Sequence, residues 1–205
     1  MSIITRAPRR TSQRELNKLL RDLLPKQGNW SEEAYLWLTD HTNRLVEFTD
    51  GHIEVLPMPT RRHQAILKLL FLAFHAFVAP LGGTVFFAAL RLRIREEVFR
   101  EPDLLLLKDE KDSRNQNRFW TGADLTLEVV SPDKPARDLV EKRSEYAEGK
   151  VPEYWIVNPE DETITVLRLD GVAYVEHGIF KRGETATSVI LPGFSVNVDA
   201  VFDAK

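Results

Sequence analysis

Between residues 101 and 158 the chain runs through two apolar segments that each carry one acid, then a stretch with helical spacing, then a third apolar segment. No other stretch limits the fold as much. Asp103 follows Pro102 at the head of four leucines, and Glu128 lies inside Leu125–Val130. Short, near-continuous runs of Leu and Val read as strands buried on both faces. A lone carboxylate in such a strand is costly unless it has a partner. Two of them on consecutive strands offset that cost by sharing a divalent cation through oxygen ligands.

A helix is expected next, over about 135–149. At 100° per residue, Leu139, Val140, Arg143, Tyr146 and Ala147 form one apolar stripe, with Lys142 on its border. A border lysine lays its stem along apolar surface and projects its ammonium outward, here toward the end of the strand carrying Glu128. The plain alternative is a surface helix with an Asp138–Lys142 i,i+4 ion pair, which is common and weak. Tyr146, one turn on, reads as packing.

These residues resemble the Uma2 family (DUF820), a branch of the PD-(D/E)xK nuclease superfamily. The resemblance is carried by Pro102-Asp103, Glu128 through Pro132, Arg137-Asp138, Lys142-Arg143, Tyr146, Val151 through Trp155 and, near the end, Leu191 through Phe194. With the Asp50-Gly51 hairpin it spans about Val46 to Phe202. Short elements such as Pro-Asp or Glu-x-Val recur by chance; their order and spacing carry the likeness. One departure matters. In the E-x-K element the third position is Val130 instead of Lys, and Lys142 on the following helix matches the migrated lysine of families like this one. The resemblance implies an α/β restriction-endonuclease-like core, a central mixed sheet flanked by helices. It also implies metal-dependent hydrolysis of DNA phosphodiesters. In that reading Asp103 and Glu128 hold Mg²⁺, with Mn²⁺ able to substitute, together with a backbone carbonyl of the Glu128 strand. Lys142 orients the water or stabilises transition-state charge.

The chain has 205 residues, enough for one domain with a proper core. Its 43% hydrophobic and 29% charged residues suit a globular protein. There is no cysteine, so neither a disulfide nor a thiolate metal site is available. That fits a cytoplasmic protein. The N-terminus lacks the apolar segment of a signal peptide. No uninterrupted apolar run reaches 18 residues, so no membrane span is expected. A net charge of −3 is not that of a protein coating nucleic acid over a large surface.

Upstream, residues 1–26 hold seven basic residues against Glu15 and Asp22, a local charge of +5. Residues 1–10 read as a mobile arm, either a solvated tail or a phosphate contact. Ser12 and Glu15 form a capping box for a helix over about 13–24, and Ser31 starts a second, with Trp30 and Tyr35 as its hydrophobic staple. Alternation around Asp50-Gly51 predicts a hairpin with a primed turn. On its second strand Glu54 is either solvent-facing or, by the resemblance, a third catalytic acid aimed at the cleft. A helix over 62–78 follows. Its first residues include His63, read either as a packed core histidine or as a contact to the substrate or to a metal-holding acid, beside Glu54.

Strands are expected at about 84–94 and 101–107. The polar loop 108–119 offers Arg114 and Arg118 as donors to phosphates or base edges, or is simply solvated. After a strand at Tyr154–Asn158, residues 163–198 read as a β-meander that caps the sheet and offers a homodimer contact. The catalytic core is thus expected over 62–158 of a single domain. Two other functions remain compatible with the residues. One is a silent nuclease-fold domain that binds nucleic acid or a protein partner, which Val130 favours. The other is a metal-dependent hydrolase of a small phosphate ester.

Overall fold

In a computed structural model describing residues 23–132 and 136–205, Asp50 and Gly51 both have positive φ, 44° and 82°. They make the expected primed turn, whose twist matches that of the strands it joins. These are β1 (Val46–Thr49) and β2 (His52–Val55). Before them, Ser31 caps α1 (Glu32–Asp40) by accepting a hydrogen bond from the Ala34 amide at 3.2 Å. Trp30 and Tyr35 are buried at the staple positions, and Tyr35 stacks on Phe48 of β1 at 5.1 Å. The helix expected over 13–24 and the arm over 1–10 fall almost wholly on residues 1–22, outside the described ones.

Thr60 caps α2 (Arg61–Val78), with its hydroxyl accepting from the His63 amide. A 3-10 turn at Ala79–Leu81 contains Pro80, and Gly82 closes it at φ 86°. The inner face of α2, Ile66, Leu70, Phe74 and Val78, is fully buried. Arg61–Leu81 is nonetheless long and apolar enough to cross a membrane by length and composition. Counting uninterrupted apolar runs missed this, because scattered polar residues break the run without making the helix polar.

The segment 84–94 is not one strand. It divides into β3 (Thr84–Phe87) and β4 (Leu92–Arg95), which lie in different sheets. A further strand, β5 (Val98–Arg100), was not expected. Then come β6 (Leu104–Leu107) and β7 (Leu125–Val129), a π-helical turn at Arg137–Glu141, α3 (Lys142–Glu148) and β8 (Glu153–Asn158). The C-terminal part holds β9 (Thr163–Asp170), β10 (Ala173–Phe180), β11 (Thr185–Thr187), β12 (Ser195–Asn197) and α4 (Val198–Phe202).

The main sheet has the order β10-β9-β8-β7-β6-β3 and a smaller one β2-β1-β5-β4; β11 and β12 pair separately. Every pair in the main sheet is antiparallel except β7–β8. A parallel pair needs a crossover, and the π-turn with α3 supplies it. Alternation along β6 sends Leu104 and Leu106 to one core, with α2, Trp155 and the C-terminal Phe194 and Val201. It sends Leu105 and Leu107 to another, with Tyr146, Ala147 and Tyr154. A third core joins α1 to the small sheet through Tyr35, Phe48 and Phe99.

Candidate active site

Strand β6 runs antiparallel to β7 with Leu104 opposite Leu127 and Leu105 opposite Thr126. One step further in that register, Asp103 comes opposite Glu128. Both belong to the α3 side of the sheet, in phase with Leu105 and Val130. The register thus sets the two acids at neighbouring positions on one side of the sheet.

Each acid is held by one oxygen. Asp103 Oδ2 accepts from the Val129 amide at 2.8 Å and from His63 Nε2 at 2.9 Å. The ring donates through Nε2, since a carboxylate oxygen only accepts. Burial works against a charged ring, but the hydrogen bond and charge of Asp103 outweigh it, and the His63 pKa is raised. Glu128 Oε1 takes Lys142 Nζ at 2.8 Å and a hydrogen bond from the Tyr146 hydroxyl. Asp103 Oδ1 and Glu128 Oε2 accept no hydrogen bond from any described residue. Tyr146 is thus more than packing.

Lys142 is buried, where the periodicity had placed it on a border. Its ammonium reaches Glu128 at 2.8 Å, Asp138 Oδ1 at 3.1 Å and Glu47 Oε1 at 3.7 Å. The π-turn explains the difference. The amide of Lys142 bonds the Arg137 carbonyl, five residues back, and the extra residue shifts the phase of the preceding turn relative to a regular α-helix. Leu139 and Val140, assigned to the buried stripe, are consequently exposed, and Asp138 is buried in their place. The Asp138–Lys142 pair exists, but inside the protein.

Glu47 escaped the sequence reading. It is the cross-strand partner of Glu54, and it was available from the hairpin register once β1 was known to face the cleft. Burial opposes its ionisation, yet Lys142, Arg100 and Arg137 outweigh that and lower its pKa. Glu128 is equally buried and shifts the other way, up to about 8. Burial raises it, the single cation Lys142 counteracts, and Asp103, Asp138 and Glu47 add to the rise. Lys142 stays charged, its pKa raised by Glu128, Glu47 and Asp138 against the burial that opposes charge. The surroundings of Glu128 therefore disfavour its negative charge, Lys142 being the one cation that counteracts burial and the neighbouring acids.

Glu54 stands at the rim, with Arg137 Nη1 at 3.0 Å. With Glu47, Arg100, Arg137 and Glu145 it lines a cleft of about 440 Å³. The deep acid of this hairpin is Glu47, while Glu54 occupies its mouth.

Arg114 and Arg118 are not brought to the acids. Their loop leaves β6 at Lys108, five residues and roughly 16 Å beyond Asp103, and rejoins β7 at that same far end. Arg114 bonds Asp112 and Asp124 at 2.7 and 2.8 Å, and Arg118 bonds Asp40 of α1 at 2.7 Å. The two arginines tie the loop down, because their nearest carboxylates are on this chain.

The residues fit a hard divalent ion. Its donors would be carboxylate oxygens, and each acid has an oxygen that accepts no hydrogen bond from a described residue. Among the described residues no group of three or more His, Asp or Glu side chains is arranged to hold a metal ion. Two carboxylates with water and substrate phosphate completing the shell suit Mg²⁺ better than an all-protein cage does.

The central mixed sheet flanked by helices is of the restriction-endonuclease-like class. Within it, the chain belongs to the Uma2 family, whose model, described as "Putative restriction endonuclease", matches residues 32–199. A crystal structure of a "putative nuclease belonging to DUF820" from Anabaena variabilis ATCC 29413 is similar in fold. It shows a TM-score of 0.67 and 20% sequence identity over 78% of this chain and 91% of that one. No curated protein matches this chain. Membership places the chain among nuclease-like proteins.

Proposed function

We propose that this protein is an endonuclease that hydrolyses DNA phosphodiester bonds with Mg²⁺, or Mn²⁺ in its place. The observation that carries the reading is the opposed pair Asp103 and Glu128 with the Lys142 ammonium 2.8 Å from one of them. Asp103 and Glu128 would hold the ion. When bound, it lowers the pKa of a water ligand and offsets charge on the scissile phosphate. Lys142, held by Asp138 and Glu47, keeps a positive charge beside the acids that can stabilise the charge developing on phosphate. Glu54, paired with Arg137 at 3.0 Å on the cleft beside Glu47, would contact the substrate backbone.

Supercoiled plasmid incubated with Mg²⁺, Mn²⁺ or EDTA tests this. Nicking or linearisation should require the metal and vanish in Asp103→Ala. Lys142→Ala should lower turnover by roughly 10²–10³, as loss of one electrostatic stabiliser does. Val130→Lys added to Lys142→Ala should recover part of it, because Val130 lies two residues from Glu128 on the same side. Wild type that leaves plasmid intact with either metal refutes the reading. It would favour the silent domain, in which the three carboxylates around Lys142 are only a buried ion-pair network.

A further inference from the structure

We propose that His63 and Tyr146 are positioning residues: each grips one oxygen of an acid and leaves the other as the metal ligand. Asp103 Oδ1 and Glu128 Oε2 are then the coordinating atoms. This rests on the metal-dependent reading above.

A carboxylate has two equivalent oxygens, and rotation exchanges them. A donor on one removes the equivalence. Asp103 Oδ2 is pinned by His63 Nε2 at 2.9 Å and the Val129 amide at 2.8 Å. Glu128 Oε1 is pinned by Tyr146 and by Lys142 at 2.8 Å. Both acids show the same division, one oxygen with two donors and one with none among the described residues. The holders come from opposite sides of the sheet. His63 is set by the first turn of α2, whose cap Thr60 bonds its amide at 3.2 Å. Tyr146 is buried on α3 with its ring edge-on to Tyr154 at 5.0 Å. Each brings rigid support, so the acids are oriented before an ion arrives. Partners that orient a metal's ligands typically change its affinity by roughly 10–100-fold when removed.

A merely structural hydroxyl or imidazole would change melting and leave metal affinity alone. The test is calorimetric titration of Mn²⁺ into the full-length protein without DNA, beside thermal melts in EDTA. Tyr146→Phe and His63→Leu should each raise the Mn²⁺ Kd roughly 10–100-fold. His63→Gln, whose side-chain amide can donate from about the ring Nε2 position, should recover most of the loss. Tyr174→Phe also removes a buried hydroxyl, here bonded to the Val151 carbonyl at 2.7 Å, and should leave the Kd unchanged. If Tyr146→Phe does not fold, the contrast between Leu and Gln at position 63 decides. A Kd equal to wild type in both Tyr146→Phe and His63→Leu overturns the positioning roles and leaves the nuclease reading standing. A wild type that binds no Mn²⁺ removes the metal reading itself, and the positioning roles with it.

Discussion

Among single residues, equal burial produces opposite ionisation according to the neighbours. Glu47 meets three cations and stays charged, whereas Glu128 meets one cation and three acids and resists charging. Glu101 extends the contrast. It is buried beside Glu47, its Oε2 accepts from the Val46 amide at 3.1 Å, and no cation bonds it among the described residues. Burial, then the charge of Glu47, pushes its pKa up to about 8. An ordinary glutamate loses its proton near 4.5, so across that window the folded state keeps a proton that the unfolded chain has lost. Stability from this group is fully present below about 4.5 and falls as pH rises through about 8. Glu101→Gln keeps an acceptor for Val46 and has no proton to lose. Urea unfolding across the window should show wild type losing stability relative to Glu101→Gln, at most about 1.4 kcal/mol per pH unit. Parallel curves would mean that Glu101 is ionised in the fold.

Among elements, the π-turn decides where the lysine goes. Its extra residue buries Asp138 and Lys142 together and turns Leu139 and Val140 to solvent. Deleting Val140 removes an exposed side chain and lets the turn close with α-type bonds. Asp138 would then leave the buried face. Activity should fall by roughly 10²-fold or more, the effect of a displacement of about 1 Å at a reacting centre, while circular dichroism keeps its helical signal. A deletion variant as active as wild type would show that the turn does not position Lys142. The loop holding Arg114 and Arg118 teaches the complementary point. A donor-rich loop is not an interface when its own carboxylates are nearer than any phosphate.

Across the whole molecule, α2 joins the sheet to the C-terminal segment. Phe74 stacks on Phe194 at 4.3 Å and meets Trp155 edge-on at 5.4 Å. Three separate parts of the chain thus converge on one ring. Phe74→Ala should cost about 3–5 kcal/mol, measured by urea denaturation. Leu72, 56% exposed on the same helix, should accept Lys within about 0.5 kcal/mol. If Leu72→Lys destabilises as much as Phe74→Ala does, the outer face of α2 is covered in solution. Apolar length made α2 pass as a membrane span, but the inward packing of one face makes it the core helix of this sheet.

Local chemistry was legible in the residues themselves. Asp50-Gly51 can form few turns but a primed one, Ser31 and Thr60 cap because they precede apolar periodic segments, and the order of motifs put Asp103 and Glu128 on consecutive strands. These depend on neighbours in sequence, whereas the register that sets Asp103 opposite Glu128 comes from the strand pairing. What the sequence could not determine depends on contacts between distant segments. The break of 84–94 into two sheets, the recruitment of Glu47 by Arg100, Arg137 and Lys142 from distant segments, and the π-turn that rotates Asp138 inward all required the third dimension. A 100° step assumes one unbroken helix, and only the packing of Lys142 among Glu128, Asp138 and Glu47 shows where that assumption ends.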